Sequence, residues 1–198
     1  MTMNEYGMKN TKLPLALCAF FLLPLTLCAQ TLSERIPVPQ GYVRTSEAEG
    51  SLGEFLRAYT MKPVGSSVLL YDGSRKWNQR AHCAVFALPI ENYDLQQCAD
   101  SVMRVYAEWL WRTGQEERIR FHFTNGFLCE WAKWKQGFRV KVSGNKTEWV
   151  KSAQADSSYK NLVAYLKMVF TYAGTASMRA YEAEPTTLSA LKIGDVFL

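Results

Sequence analysis

The chain has few histidines and lacks the common motifs for nucleotides, metals and serine nucleophiles. Only two histidines, His82 and His122, occur among its 198 residues. No glycine-rich phosphate loop, dinucleotide fingerprint or Gly-x-Ser-x-Gly sequence is present. Cys-x-x-Cys and His-x-x-x-His spacings are also missing. We therefore expect no cofactor and no bound metal.

Long basic runs are absent as well. The formal net charge is +5, but no run of five or more lysines and arginines occurs. Such a run is typical of nucleic-acid-binding segments, so we expect no nucleic-acid partner. The 48% apolar and 21% charged composition excludes collagen, coiled coil and wholesale disorder.

The N-terminus has the pattern of a signal peptide. Lys9 and Lys12 precede the apolar run Leu13–Leu27, and the small residue Ala29 offers a cleavage point. The alternative is a lipid anchor on Cys28. Residues 1–29 are thus predicted to be removed, and the mature protein is expected to be exported to the periplasm or beyond. No later stretch is apolar enough to span a bilayer.

Three cysteines follow the predicted signal peptide: Cys83, Cys98 and Cys129. An odd number leaves at least one thiol free or intermolecular. Whether two of the three form a disulfide stays open at this point.

Apolar periodicity over residues 30–198 predicts one domain of the α+β class, a mainly antiparallel sheet packed by helices. The segment His82–Leu88 is apolar on both faces and is therefore predicted to be a central strand. The other predicted strands are Val68–Tyr71, Arg118–Phe123 and Phe138–Val142. Helices are predicted at Ser51–Tyr59, at Leu95–Arg112 with an Asp94–Gln97 capping pair, around Trp131 and Trp134, from Ser157 or Ser158 to Gly174, and near Ala176–Tyr181.

Cys98 is the candidate catalytic nucleophile. It lies in the first turn of the predicted long helix, where unpaired N–H groups and the helix dipole favour a thiolate. The alternative is that Cys98, on the apolar stripe of the helix, is a small buried hydrophobic residue.

A thiol nucleophile needs a base, and His122 is the better candidate because it follows the cysteine in the chain. It lies on a predicted strand, with its side chain opposite to those of Phe121 and Phe123. A structural role is the alternative for His122 and for His82.

An aromatic and basic segment offers a different, non-catalytic function. Asn125, Trp131, Trp134 and Arg139 lie close together in the sequence and are candidates for binding a sugar or an anionic envelope polymer. The alternative is that the tryptophans pack in the core.

The C-terminal residues Leu191-Lys192-Ile193-Gly194-Asp195-Val196-Phe197 resemble a segment of papain-like cell-wall cysteine peptidases and amidases. In those enzymes the segment precedes the strand that carries the catalytic histidine. The resemblance implies a papain-like core and hydrolysis of cell-envelope peptide or glycan-peptide.

Seven further segments carry a second resemblance: Arg35–Pro39, Leu69–Gly73, Asn78–His82, Asp94–Asp100, Phe123–Phe127, Trp134–Arg139 and Ala173–Thr175. Through them the chain resembles the family called domain of unknown function 4846, from secreted bacterial proteins, over roughly residues 35–198. The resemblance implies no particular activity, and it implies a longer chain with a glycine-histidine strand after Phe197. We therefore expect a truncated chain, with an open sheet edge or exposed apolar groove beside Val196 and Phe197.

Overall fold

Two long helices and two short β-hairpins form the centre of the fold. A computed structural model describes residues 29–198, so Cys28 and nearly all of the predicted signal peptide lie outside the described residues. The helices are α1 (Leu32–Arg35), α2 (Leu52–Arg57), α3 (Cys98–Arg112), α4 (Trp131–Trp134), α5 (Tyr159–Tyr172) and α6 (Thr175–Ser177). The strands are β1 (Arg120–His122), β2 (Leu128–Glu130), β3 (Phe138–Ser143) and β4 (Lys146–Lys151).

Three further turns of helix complete the described secondary structure. Two are 3₁₀ turns, at Glu116–Arg118 and Leu188–Ala190, and one is a π-helical turn at Met178–Glu182. Strands β1 and β2 pair antiparallel, as do β3 and β4. Short antiparallel sheets packed against helices confirm the predicted α+β class.

Helix α3 begins three residues later than its pattern predicts. The backbone N–H of Gln97 donates to Asp100 Oδ2 at 3.0 Å, so the Gln97–Asp100 pair closes the helix start in place of the predicted Asp94–Gln97 pair. Cys98 is consequently the first residue of the helix. The C-terminal end agrees with the prediction, since Gly114 has a φ of 69° just after the helix.

Helix α5 agrees closely with its predicted extent. Ser158 Oγ accepts a hydrogen bond from the Asn161 backbone N–H at 3.3 Å, and the helix ends at Tyr172. Its inner face packs against α4 and the β1–β2 hairpin. The buried apolar residues of that face are Leu162, Tyr165, Leu166, Val169 and Phe170.

Trp131, Trp134 and Tyr165 form the aromatic centre of the core. The Tyr165 ring meets both tryptophan rings edge-to-face, each at 5.8 Å between centroids. Its hydroxyl donates to the Cys129 carbonyl oxygen at 2.8 Å. A buried tyrosine needs such a partner, so this hydrogen bond couples α5 to β2.

The predicted central strand His82–Leu88 is wrong. The segment makes only a single bridge, between Phe86 and Met61, with hydrogen bonds to residues 60–62. Its small side chains, among them Cys83 and Ala84, are only half-buried or exposed and offer little apolar surface to a core. The predicted strand Val68–Tyr71 is likewise reduced to one bridge.

The C-terminal segment, residues 191–198, contains no strand. Asp195 Oδ2 accepts the Lys192 backbone N–H at 2.7 Å, which forms a turn. Gly194 has a φ of 101° and lies against Leu52 of α2, where a Cβ would collide with that leucine. Phe197 is 89% exposed. Within the described part of the chain, no helix is long and apolar enough to cross a membrane.

Candidate functional site

His122 forms a hydrogen-bonded pair with Glu182. Its Nδ1 lies 2.8 Å from Glu182 Oε1, and the same oxygen accepts the His122 backbone N–H at 2.7 Å. The two neighbouring rings, Phe121 and Phe123, are buried, so the strand alternation points His122 to the opposite side, as predicted. Glu182 comes from the π-helical turn, which packs on β1. The pair leaves His122 Nε2 as the nitrogen available to a ligand.

Tyr181 completes this arrangement. Its ring stacks on the His122 imidazole with 4.6 Å between centroids and an interplanar angle of 27°. Gly126 lies in the β1–β2 turn with a φ of 82°. A side chain at this position would place its Cβ 3.0 Å from the Tyr181 hydroxyl, so glycine leaves room for the tyrosine. Tyr181 is 49% exposed, so its outer face is open to solvent.

The pair lies in the wall of an open groove of about 920 Å³. Helix α3, the β1–β2 hairpin, the π-helical turn and the C-terminal segment form its sides. The side chains at its rim carry both signs of charge. Its lining residues include Val102, Tyr106, Arg118, Arg120, Phe121, His122, Leu128, Tyr181, Glu182, Glu184, Lys192, Asp195, Val196 and Leu198.

Glu182, a lining residue of the groove, carries an unsatisfied acceptor. Its Oε2 is buried and has no hydrogen-bond partner among residues 29–198. A buried carboxylate oxygen without a partner is costly. Val196 and Leu198 are among the lining residues of the groove, and Phe197 is not.

Cys98 is exposed, which excludes the alternative of a buried structural residue. It is not among the residues that line the groove. Val102, one helical turn further along the same face of α3, does line it. Cys98 therefore lies one helical turn before the first α3 residue that lines the groove, and it is not in the groove with His122.

The predicted binding surface around the tryptophans is a packing region. Trp131 and Trp134 are 0% and 5% exposed, so their faces are not free to stack on a ligand. The Arg139 guanidinium lies 4.3 Å from the Trp134 ring centroid, and Asn125 Nδ2 donates to Thr147 at 2.8 Å. The core-packing alternative thus holds for the two tryptophans.

The remaining cysteines and His82 lie elsewhere. Within the described residues, Cys83, Cys98 and Cys129 are all free thiols, with Cys129 buried. His82 lines a separate, smaller pocket together with Cys83. No group of three histidine, cysteine or carboxylate side chains in residues 29–198 is arranged to hold a metal ion.

Sequence reasoning missed Glu182 and Tyr181. Both fall in a segment predicted only as a short helical piece, and a glutamate next to a tyrosine carries no motif. Their roles depend on a contact with a strand 60 residues earlier in the chain. No signal in a single sequence reports such a contact.

The fold and the site together define the class of protein: an α+β domain with a histidine–carboxylate pair in the wall of an open groove. The chain matches the model of one family, described as Domain of unknown function (4846), over residues 32–198, and it belongs to that family. Neither a curated protein nor a solved structure matches it.

Proposed function

We propose that the protein is an exported binding protein that takes up cell-envelope peptide or glycan-peptide in the groove beside His122. The observation that carries the proposal is the His122–Glu182 pair, whose buried Oε2 has no partner among the described residues. An amide or ammonium N–H from a ligand would satisfy that oxygen.

The mixed charge of the groove favours a peptide that carries both signs of charge. Arg120 and Lys192 can pair with carboxylates, while Glu182 and Asp195 accept from amide or ammonium groups. The exposed Tyr181 face suits an apolar or sugar C–H surface. Stem peptides of the bacterial envelope combine these groups. The signal-peptide pattern around Lys9 and Lys12 supports an encounter with them.

Binding of soluble muropeptides, measured by calorimetry, tests this proposal. Glu182→Gln keeps one acceptor for His122 but replaces the orphan oxygen with an N–H donor. We expect it to weaken binding by about tenfold, the loss of one good polar contact. Glu148→Gln, an isosteric change outside the groove on β4, is the matched control. Equal affinities of the two variants would contradict the proposal.

The exposed outer face of Tyr181 is tested separately. Tyr181→Ala is expected to reduce muropeptide binding, whereas Tyr71→Ala should not, because Tyr71 is similarly exposed, at 43%, but lies outside the groove. Circular dichroism of both variants checks that the fold is retained.

A second function is peptide hydrolysis with a cysteine nucleophile. It is favoured by the exposure of Cys98 at the start of α3. In this scheme His122 Nε2 takes the thiol proton and the thiolate attacks a peptide carbonyl. The imidazolium returns the proton to the departing amine as the C–N bond breaks, and water then hydrolyses the thioester to a carboxylic acid and the free thiol. Glu182 would orient the imidazole through Nδ1. The reaction requires the thiol and the imidazole within hydrogen-bond reach, about 3 Å, when substrate is bound.

Chromatography of muropeptides incubated with the protein tests hydrolysis. Under the second function, Cys98→Ala and His122→Asn abolish product formation, and Cys83→Ala does not. Binding without any product in the unsubstituted chain would contradict hydrolysis and leave the binding proposal intact.

A further inference from the structure

A second, smaller pocket lies on the part of the chain that precedes α3. Its volume is about 220 Å³. The end of α1, the turn after Lys62, the hairpin that follows Leu69 and the segment beginning at His82 surround it. The lining residues that bear on its chemistry are Arg35, Ser67, Arg75, Gln79, His82 and Cys83. The groove beside His122 shares none of them.

The charged side chains that line the pocket are both positive, and no negative side chain balances them. Arg35 and Arg75 both contribute to its wall, and no aspartate or glutamate does. Neither arginine forms a salt bridge with a carboxylate in residues 29–198. Arginines that line a concave site without an acidic partner are the usual receptors for carboxylate and phosphate groups.

Hydrogen bonds to neutral groups hold the basic side of this pocket in position. Arg35 Nε donates to Gln30 Oε1 at 2.7 Å, and its Nη2 donates to the Lys62 carbonyl at 3.0 Å. Gln79 bridges to the Val68 backbone through two hydrogen bonds of 3.0 Å, which brace the hairpin that carries Arg75. An anion would therefore meet an Arg35 side chain that is already ordered, which reduces the entropic cost of binding.

His82 adds an unsatisfied ring nitrogen. Its Nε2 lies 3.2 Å from the Ser66 carbonyl oxygen. A carbonyl can only accept, so Nε2 carries the proton. The other nitrogen, Nδ1, is buried and has no partner in the described part of the chain.

We propose that this pocket binds the oxyanion of a small ligand, a phosphate or a carboxylate group, through the guanidinium groups of Arg35 and Arg75. The Ser67 hydroxyl, also in the lining, can add a neutral donor. The proposal does not depend on the function of the groove beside His122.

Cys83 provides a reporter within the pocket, and Cys98 provides an internal control. Both thiols are exposed, but only Cys83 lines the pocket. The experiment compares alkylation of the full chain by anionic iodoacetate and by neutral iodoacetamide, with peptide mapping to resolve each cysteine. A positively charged pocket concentrates the anionic reagent, so we expect the iodoacetate preference at Cys83 to exceed that at Cys98 by about tenfold.

Occupancy is tested by competition. Inorganic phosphate and acetate are titrated separately, at an ionic strength held constant with chloride, to separate binding from screening. Protection of Cys83 by phosphate alone assigns a phosphate ligand, and protection by acetate alone assigns a carboxylate. Protection by both assigns a general oxyanion site. Absence of protection by either anion overturns the proposal.

Arg75→Gln and Arg80→Gln form a matched pair, since each removes one exposed positive charge from the same region and only Arg75 lines the pocket. We expect Arg75→Gln to abolish both the iodoacetate preference and the anion protection, and Arg80→Gln to leave them intact. Continued protection of the buried Cys129 verifies that both variants are folded. Equal behaviour of the two variants at Cys83 would overturn the assignment.

Discussion

His122 and Glu182 are 60 residues apart in the chain, yet the imidazole Nδ1 lies 2.8 Å from the carboxylate. The same carboxylate oxygen accepts the His122 backbone N–H at 2.7 Å. One side chain thus orients the imidazole and also satisfies a backbone donor at the strand end. Because β1 belongs to the core and the π-helical turn follows α6, this contact fastens the segment after α5 to the hairpin.

Glu182→Ala is therefore expected to lower stability as well as to disturb the site. It removes two hydrogen bonds and leaves a partly buried backbone N–H without a partner, which costs about 1–3 kcal/mol of unfolding free energy. Urea unfolding followed by circular dichroism measures the loss. Glu184→Ala, an exposed carboxylate two residues further on, should change stability by less than about 0.5 kcal/mol. Equal losses would show that the contact with His122 contributes nothing.

The sequence predicted the elements whose signals are local. Helix α5 follows from the Ser158 cap and an apolar stripe, and the orientation of His122 follows from strand alternation between two phenylalanines. The segment His82–Leu88 misled the prediction because small apolar residues satisfy a strand pattern without supplying enough surface to bury. A pattern reports which residues are apolar, but the partner strand decides whether a ladder forms.

The site could be predicted only in part for a related reason. His122 was identifiable because histidines are rare in this chain. Glu182 and Tyr181 were not, because their selection depends on where the π-helical turn packs. The tryptophans of α4 were visible in the sequence, but their orientation was not. An aromatic cluster has the same composition whether it faces a ligand or the core.

Gly137, just before β3, should tolerate substitution by alanine less well than Gly144 in the β3–β4 turn. It has a φ of 93°, and a Cβ would overlap the Ala153 carbonyl oxygen. Gly144, in the β3–β4 turn, has a φ of 57° with open space around it. Gly144→Ala should cost only the backbone strain, about 1–2 kcal/mol. Gly137→Ala should cost more, about 3 kcal/mol or above, because backbone must also move. Thermal unfolding of both variants tests the order, and equal costs would contradict it.

A buried ion pair within α3 is connected to α5 by Tyr159. Arg104 Nε donates to Glu108 Oε1 at 2.9 Å, and the Tyr159 hydroxyl contacts both residues. Both charged side chains are 1% exposed. Arg104→Met leaves the buried glutamate with the Tyr159 hydroxyl and the half-exposed Arg112, at 3.4 Å, as its partners, so we expect a loss of about 3 kcal/mol.

The matching double variant distinguishes pairing from packing. Removing both charges with Arg104→Met and Glu108→Leu should recover much of the lost stability, because no uncompensated charge remains. Urea unfolding of the two single variants and the double variant provides the coupling energy. Additive losses would show that the pair is held by its packing alone.

The three cysteines should differ sharply in reactivity. Burial raises the pKa of the Cys129 thiol well above its usual range, and its side chain is fully enclosed. Because alkylation proceeds through the thiolate, Cys129 should stay unlabelled in the native protein, while the exposed Cys83 and Cys98 react. Mass spectrometry after a native pulse of iodoacetamide, followed by a second reagent in denaturant, measures each site. Labelling of Cys129 at the rate of Cys83 would require the α5 face to open on the timescale of the pulse, which the Tyr165 hydrogen bond to the Cys129 carbonyl opposes.

Tyr165→Phe removes that hydrogen bond without removing the ring, so it should increase native labelling of Cys129 and leave Cys83 unchanged.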